Sequence, residues 1–125
     1  MATIFELQNP PFGQLTKTKV IKTENGAHTL TTAEIIEGIV DGTPTGNRAI
    51  TTPTAAEIIS ALGTQSGVCQ CFELTIVNKA ASTHKFTLTA GSGVTIVGEP
   101  DITADSSGTF IFRVSSSTAV SAFRK

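Results

Sequence analysis

The second half of the chain is dominated by apolar side chains that recur at every second position. Phe72, Leu74 and Ile76 occupy alternate positions after residue 68. A β-strand points successive side chains to opposite faces, so this pattern gives a strand one apolar face. Four later segments are predicted as further short strands between turns: residues 85–89, 94–96, 109–114 and 119–123. We therefore predict a mainly β chain that forms an antiparallel β-sandwich or a small barrel.

Two related segments precede these strands, and each begins with the spacing of a helix start. Thr31 stands three residues before Glu34, and Thr54 stands three residues before Glu57. At this spacing the threonine oxygen and the glutamate carboxylate satisfy free amides of the first helical turn. Two short helices are predicted: residues 31–39, stopped by Asp41, Gly42 and Pro44, and residues 53–62, stopped by Gly63.

A hairpin is predicted ahead of the first helix. Asn25-Gly26 is the strongest two-residue turn signal, and short strand-like segments flank it. The predicted strand pair spans about residues 18–29. The domain over residues 17–125 then consists of the hairpin and helices (17–63) followed by the antiparallel sandwich (64–125).

The first sixteen residues are predicted to form an extended arm. Pro10 and Pro11 exclude a central strand or a helix interior, because proline lacks an amide donor and pushes its neighbour to extended geometry. A disordered tail is the alternative. Five apolar side chains favour docking on another surface instead, and these candidate partner contacts are Ile4, Phe5, Leu7, Phe12 and Leu15.

The composition argues against several binding functions. The chain has no Trp and no Tyr, 15% charged residues and a formal net charge of -1. Carbohydrate-binding and receptor-binding surfaces commonly use Tyr and Trp, and nucleic-acid binding needs a basic patch. No apolar stretch approaches the roughly 20 residues that span a bilayer, and we expect no secretion signal. The low charge favours a surface that is covered in an assembly, with an uncharged free surface as the alternative.

The residues that most often carry chemistry have structural interpretations. Cys69 and Cys71 share one face of a strand, where we interpret them as small buried groups or interface cysteines. An interchain disulfide is the alternative. His28 and His84 are isolated and are interpreted as solvated turn histidines. We therefore predict no catalytic residue, no metal site and no cofactor.

Four stretches carry a resemblance to known proteins: residues 43–62, 72–78, 89–98 and 107–114. They resemble structural proteins of large double-stranded DNA viruses and tailed phages of aquatic hosts. In those proteins such modules occur as capsid decoration (cement), minor capsid or fibre domains. The resemblance covers roughly residues 31–114 and rests on a strand-turn pattern with a Thr-Pro-Thr-Ala-Ala helix start. It implies a packing role and carries over no functional residue.

Resemblance and composition together predict a virion structural protein, not an enzyme. The expected role is a decoration (cement) or minor capsid subunit on the capsid surface, assembled in the host cytoplasm. Its expected partners are the major capsid protein and neighbouring copies of itself, in a homotrimer. Neither nucleic acid nor a membrane is an expected partner. The alternative is a tail or capsid fibre domain, or an adhesin, that binds a host receptor.

Overall fold

The computed structural model describes residues 21–36, 38–63 and 70–125, which form a strand-rich fold with two mixed sheets. The strands are β1 (Ile21–Thr23), β2 (His28–Thr29), β3 (Ile39–Gly42), β4 (Arg48–Thr51), β5 (Cys71–Asn78), β6 (Phe86–Thr89), β7 (Val94–Val97), β8 (Asp101–Ile102), β9 (Ser106–Ser116) and β10 (Ala119–Arg124). The helices are α1 (Thr32–Ile35) and α2 (Ala55–Leu62).

The chain alternates between the two sheets from β1 to β9. One sheet has six strands in the order β1-β3-β5-β9-β10-β7, and the other has four in the order β2-β4-β6-β8. Strands β1, β3 and β5 are parallel neighbours, as are β2, β4 and β6. Parallel neighbours require a crossover connection, and here each crossover passes through a strand of the other sheet.

The mixed sheets correct the prediction of an antiparallel architecture. Among the described strands, five of the eight pairings are parallel. The antiparallel pairings join β9 to β5 and β10, and β6 to β8. The prediction was wrong because alternating side chains show that a strand has one buried face, but they do not reveal the direction of its neighbour.

The predicted hairpin around Asn25 and Gly26 is also absent from the described residues. Its two strands, β1 and β2, belong to different sheets and pair with β3 and β4. A type I′ hairpin turn needs positive φ at both central residues, and neither Asn25 nor Gly26 has it. Instead the Asn25 Oδ1 atom accepts a hydrogen bond from the Thr43 amide at 2.8 Å. This turn is therefore tied to the loop after β3.

Both helices begin as predicted. The hydroxyls of Thr31 and Thr54 accept hydrogen bonds from the amides of Glu34 and Glu57, and each glutamate carboxylate accepts from the threonine amide in return. The second helix ends at Gly63, as expected, with φ of 58°. Glycine adopts this positive φ without the steric cost of a Cβ atom.

The first helix is shorter than predicted. It ends at Ile35, and Ile39 begins strand β3 instead of lying in the helix. Strand β3 pairs with β1 on one side and β5 on the other, and its Val40 is fully buried. Pairing on both sides stabilises the extended backbone, and β-branched Ile and Val suit it better than a helix.

One apolar core receives side chains from both sheets and both helices. The six-stranded sheet contributes Val40, Leu74, Ile76, Phe110, Phe112, Val120 and Ala122; the four-stranded sheet contributes Ile50, Phe86, Leu88 and Ile102; and the helices contribute Ile35, Ala55 and Ile58. The rings of Phe72 and Phe112 stack with their centroids 5.0 Å apart. Each sheet therefore has an inner face toward this core and an outer face away from it.

Candidate interaction surface

The outer face of the six-stranded sheet carries three apolar side chains next to one another. Ile111 of β9 lies opposite Phe123 of β10, and Phe123 lies opposite Val97 of β7. Phe123 is 37% exposed, Val97 is 46% exposed, and Ile111 is partly exposed. We name Ile111, Phe123 and Val97 the outer stripe. Contiguous exposed apolar groups often mark an interaction site, so this stripe is the candidate surface.

The period of the strands explains why the stripe faces outward. Phe110, Phe112 and Ala122 are fully buried in the core, so the residues between and after them point to the other face. Consecutive apolar residues, 110–112 in β9 and 122–123 in β10, therefore give these strands two apolar faces. This signal was present in the sequence. It was missed because alternation alone assigns one apolar face to each strand.

The opposite edge of the same outer face carries a further exposed apolar residue. Ile21 of β1 is 66% exposed and lies opposite Ile39 of β3. Between the two edges, the hydroxyls of Thr75 and Thr109 lie 3.0 Å apart on neighbouring strands. The outer face is thus apolar toward both edges, with a hydroxyl pair between them.

The aspartate on this outer face is held by its neighbours. Asp41 accepts a hydrogen bond from the Thr23 hydroxyl at 2.8 Å and from the Lys79 ammonium at 3.0 Å. These two hydrogen bonds hold the pKa of Asp41 below its usual range. A carboxylate stabilised in its ionised form is a poor proton donor near neutral pH.

The outer face of the four-stranded sheet carries a comparable aspartate. The Asp101 carboxylate accepts hydrogen bonds from the Lys85 ammonium and, at 2.7 Å, from the Thr87 hydroxyl. Hydrogen bonds from Lys85, which contributes most, and from Thr87 lower the pKa of Asp101. Asp101 in turn raises the pKa of Lys85. This cluster is a surface ion pair within one sheet.

His28 does not fit the prediction of a solvated turn histidine. Its side chain is only 22% exposed, with Nε2 at 3.0 Å from Glu34 Oε1 and Nδ1 at 3.6 Å from Glu24 Oε2. Burial raises the pKa of Glu34, but hydrogen bonds from the Thr31 amide and from His28 outweigh it, so the pKa is lowered. His28 therefore links strand β2 to the start of α1.

Asn78 is a buried polar residue that connects the two sheets. It is 1% exposed, and its Nδ2 atom donates to the carbonyls of His84 and Ile102, each at 2.9 Å. Its Oδ1 atom accepts from the Ala80 amide at 2.9 Å. Ile102 belongs to the four-stranded sheet, whereas Asn78 ends β5 of the six-stranded sheet. The side chain of Asn78 therefore has a structural role.

The site residues predicted from the sequence are only partly within the described residues. The five arm residues and Cys69 lie outside them: Ile4, Phe5, Leu7, Phe12 and Leu15 form the arm set. Cys71 is the first residue of β5, is exposed, and lies opposite Arg113 of β9. The interface roles of these residues stay predictions.

An open groove lies between the start of α1 and one side of α2. Its walls are Thr29, Leu30, Thr31, Thr32, Pro53, Ala56, Glu57, Ser60 and Ala61. The carboxylate among them, Glu57, is engaged by the amide and hydroxyl of Thr54 at the start of α2. Within residues 21–36, 38–63 and 70–125, no three His, Cys, Asp or Glu side chains cluster as a metal ion would require. No helix in these ranges is long and apolar enough to cross a membrane.

Comparisons with protein-family models, with curated proteins and with solved structures found no match for this chain. The candidate surface is therefore assigned from its own geometry. That geometry combines an exposed apolar stripe on one sheet with polar side chains that are bound by partners within the chain.

Proposed function

We propose that this chain is a non-catalytic virion structural protein, a capsid decoration (cement) or minor capsid subunit. In this role it packs on the major capsid protein and on neighbouring copies of itself and so stabilises the shell. The observation that carries the proposal is the outer stripe of Ile111, Phe123 and Val97. Apolar side chains on a sheet face are favourable when another chain covers them.

The engagement of the polar side chains supports a packing role. The carboxylates of Asp41, Asp101 and Glu34 are bound by Thr, Lys or His partners of the same chain. The amide of Asn78 bonds three backbone groups. Catalysis needs a nucleophile or a proton carrier aimed at a cavity, and these groups are instead bound by partners within the chain.

We also propose that the two sheets pack face to face as a β-sandwich. Buried side chains of both sheets belong to a single core. The outermost strands of the four-stranded sheet, β2 and β8, are each two residues long, and their described pairings stay within that sheet. Closure into a barrel needs ladder pairing between the sheets, so the sandwich fits the described strands better.

A trimer on the particle surface is the assembly that we propose. Three copies multiply weak contacts with the shell through avidity. The arm of residues 1–16 reaches a neighbouring subunit, and the paired cysteines Cys69 and Cys71 lie at or near a chain interface. The position of the arm follows the sequence-based prediction, and the position of the cysteines is supported by the exposure of Cys71 at the start of β5, where burial in the core was the other interpretation.

Quantitative mass spectrometry of purified particles tests the decoration role. Peptides of this chain are measured against peptides of the major capsid protein in particles of the virus or phage that encodes it. We expect a copy number in fixed stoichiometry with the major capsid protein, and a lower dissociation temperature for particles that lack the chain. Absence of the chain from purified particles would refute the role.

A fibre or adhesin domain is the second candidate function. The alternation of β1 to β6 between two parallel-stranded sheets favours it, because successive coils of this kind can stack into extended structures. The same particle measurement separates the two roles. A fibre domain is expected at a few copies per particle, located at one vertex or at the tail.

A further inference from the structure

We propose that the turn at Asn25 and Gly26 is a self-modification site, at which Asn25 loses ammonia and becomes aspartate or isoaspartate with Glu24 as the proton acceptor. The inference is independent of the proposed packing role, because each chain reacts once and no substrate is turned over. It rests on two hydrogen bonds to the reacting groups. The Gly26 amide donates to Glu24, and the Thr43 amide donates to Asn25.

The reaction begins with attack of the Gly26 backbone nitrogen on the side-chain carbonyl carbon of Asn25. A bond forms between Gly26 N and Asn25 Cγ, which closes a succinimide ring, and the bond between Asn25 Cγ and Nδ2 breaks. The proton of the Gly26 amide is transferred to Nδ2, which leaves as ammonia. Water then opens the ring: attack at Cγ gives aspartate, and attack at the backbone carbonyl of residue 25 gives isoaspartate. Water is the single co-reactant.

The attacking nitrogen is hydrogen-bonded to a carboxylate. The Gly26 amide donates to Glu24 Oε1 at 3.1 Å, a distance at which a general base can take a proton. The other oxygen of this carboxylate, Oε2, lies 3.9 Å from the Lys22 ammonium and 3.6 Å from His28 Nδ1. These contacts restrict the position of the Glu24 side chain. Glu24 is therefore placed to accept the Gly26 proton and to pass it to the leaving group.

The carbonyl under attack is hydrogen-bonded through its oxygen. Asn25 Oδ1 accepts from the Thr43 amide at 2.8 Å. A backbone N–H in this position withdraws electron density from Cγ and stabilises the negative charge that develops on Oδ1 during the attack, as donors do in an oxyanion hole. Asn25 is exposed, so ammonia can leave into solvent and water can reach the ring. The contacts of this turn therefore activate both reacting groups.

The other asparagines of the chain have no glycine after them. Asn9 precedes a proline, whose nitrogen carries no proton. Asn47 precedes an arginine and Asn78 precedes a lysine, and the amides of these next residues donate to backbone carbonyls at 2.9 and 2.7 Å instead of to a carboxylate. Asn78 is also buried, and its Nδ2 atom donates to two carbonyls. The combination of an unhindered nitrogen and a carboxylate partner thus selects Asn25.

The conversion changes the link between the two sheets. Residue 25 lies between β1 of the six-stranded sheet and β2 of the four-stranded sheet. Aspartate adds a negative charge next to Glu24 in the sequence. Isoaspartate routes the backbone through Cγ and so lengthens the link, and it removes the side-chain carbonyl that accepts from the Thr43 amide.

Incubation of the full-length chain at neutral pH, followed by peptide mass spectrometry, tests the site. Cleavage by trypsin after Lys22 and Arg48 leaves Asn25 and Asn47 on one peptide, so fragment ions compare the two asparagines directly. We expect a mass gain of about 1 Da that fragment ions assign to residue 25, in two chromatographic products, aspartate and isoaspartate. Asn47 should convert at least about tenfold more slowly, because its nucleophile lacks a base.

Two single variants separate the nucleophile from the proton acceptor. Gly26→Ala should slow the conversion by roughly tenfold, because a Cβ atom hinders the attacking nitrogen. The fold tolerates this variant, since φ at Gly26 is not positive and the atom nearest to the added Cβ is Glu24 Oε1 at 3.7 Å.

Glu24→Gln keeps an oxygen that accepts the hydrogen bond from Gly26 but cannot take its proton. It should slow the conversion by about tenfold, which is less than a general base contributes in an enclosed site, because water also reaches this turn. Urea provides the matched control. In the unfolded chain the hydrogen bond to Glu24 is lost, so the wild type and Glu24→Gln should convert at equal rates.

Three results would overturn the inference: a folded chain in which Asn25 stays unconverted, conversion of Asn47 as fast as that of Asn25, or equal rates in folded wild type and folded Glu24→Gln. Circular dichroism and unfolding curves confirm that each variant is folded. If Glu24→Gln fails to fold, Glu24→Asp takes its place. Its shorter side chain keeps the charge but withdraws the carboxylate from the Gly26 amide, so it should also slow the conversion, and a wild-type rate would overturn the role of Glu24.

Discussion

The two sheets share one core but expose different chemistry on their outer faces. On the four-stranded sheet, Thr29, Thr51 and Thr89 lie side by side, and Asp101 is bound by Lys85 beside them. On the six-stranded sheet, the most exposed large apolar residues of the described chain are Ile21, Val97 and Phe123. Both sheets turn an apolar inner face to the core, and the longest strands, β5, β9 and β10, belong to the six-stranded sheet.

This difference indicates that the two faces have different neighbours in the working protein. Hydroxyls and ion pairs are stable in contact with water, so the outer face of the four-stranded sheet fits a solvent-exposed surface. Covering exposed Phe, Ile and Val side chains lowers the free energy of the assembly. The outer stripe therefore fits an interface, within a face whose other part carries the ion pairs of Asp41 and Glu73. Four predictions test this comparison, beginning with the largest expected effect.

The largest loss of stability is expected for a substitution on the inner face of the six-stranded sheet, compared with a matched substitution on its outer face. Phe112→Ala removes a fully buried ring that stacks on Phe72, and it should lower the free energy of unfolding by about 3–5 kcal/mol. The matched variant Phe123→Ala removes a partly exposed ring from the outer face and should cost about 1 kcal/mol. Urea unfolding at low protein concentration measures both values. Equal losses would show that the outer stripe belongs to the core of the monomer.

Asn78→Ala should give the second largest effect, because Asn78 connects the sheets that the comparison treats as distinct. The substitution leaves two carbonyls and one amide without their hydrogen-bond partner, at a cost of about 3 kcal/mol. Asn47→Ala is the matched control, since exposed Asn47 accepts one hydrogen bond from the Lys85 amide. Denaturant unfolding compares the two variants. The prediction is wrong if Asn78→Ala costs no more than Asn47→Ala.

Acid should reduce the stability that the aspartates on the two outer faces contribute to the fold. The folded-state pKa values of Asp41 and Asp101 are lowered, so these residues stabilise the fold above the unfolded pKa of about 4, and the stabilisation is lost as pH falls through the folded values. Asp41→Asn and Asp101→Asn should each cost no more than about 1 kcal/mol at pH 7. Each variant should also lose less stability than the wild type between about pH 5 and pH 2. Thermal unfolding across this range measures the slope, and a wild-type slope in both variants would contradict the assignment.

The smallest effect concerns the hydroxyl pair in the middle of the outer face of the six-stranded sheet. Thr109→Val removes the hydrogen bond to Thr75 but keeps a β-branched side chain, so the loss should be about 0.5 kcal/mol. Thr51→Val on the outer face of the four-stranded sheet is the matched substitution. Differential scanning calorimetry resolves changes of this size. A loss above about 2 kcal/mol for Thr109→Val would mean that the pair is desolvated in the monomer.

Much of the strand content was predictable from local sequence. Alternating apolar residues placed β5, β6, β7, β9 and β10 close to their observed positions. The Thr-x-x-Glu spacing placed both helix starts, and Gly63 placed the end of α2. These features depend on residues within a few positions of one another. Local patterning and capping chemistry are therefore sufficient to reveal them.

The pairing of strands was not predictable in the same way. Asn25-Gly26 favours a local hairpin, but β1 pairs with β3 and β2 pairs with β4. Ile39 suits the helical pattern after Thr31, but it pairs with Thr75, which lies 36 positions later. Such pairings depend on interactions with segments far away along the chain, which a short stretch of sequence does not contain.

The candidate interaction residues were only partly predictable from the sequence. The apolar arm residues were predicted as partner contacts from their composition, and that prediction stands untested. The outer stripe was overlooked, although three consecutive apolar residues, 110–112, already gave β9 two apolar faces. Whether the second face is covered by the chain's own helices or left open depends on where those helices pack.

By itself, then, the sequence determined the β-rich character, the two helix starts and the scarcity of charge, because each follows from residue type and short-range spacing. Only the tertiary structure decided that the chain alternates between two sheets, that neighbouring strands are mainly parallel, and that Phe123 and Val97 lie side by side on an outer face. The physical reason is that burial is a collective property of the packed chain: the same apolar residue contributes to a core or to an interface according to what covers it.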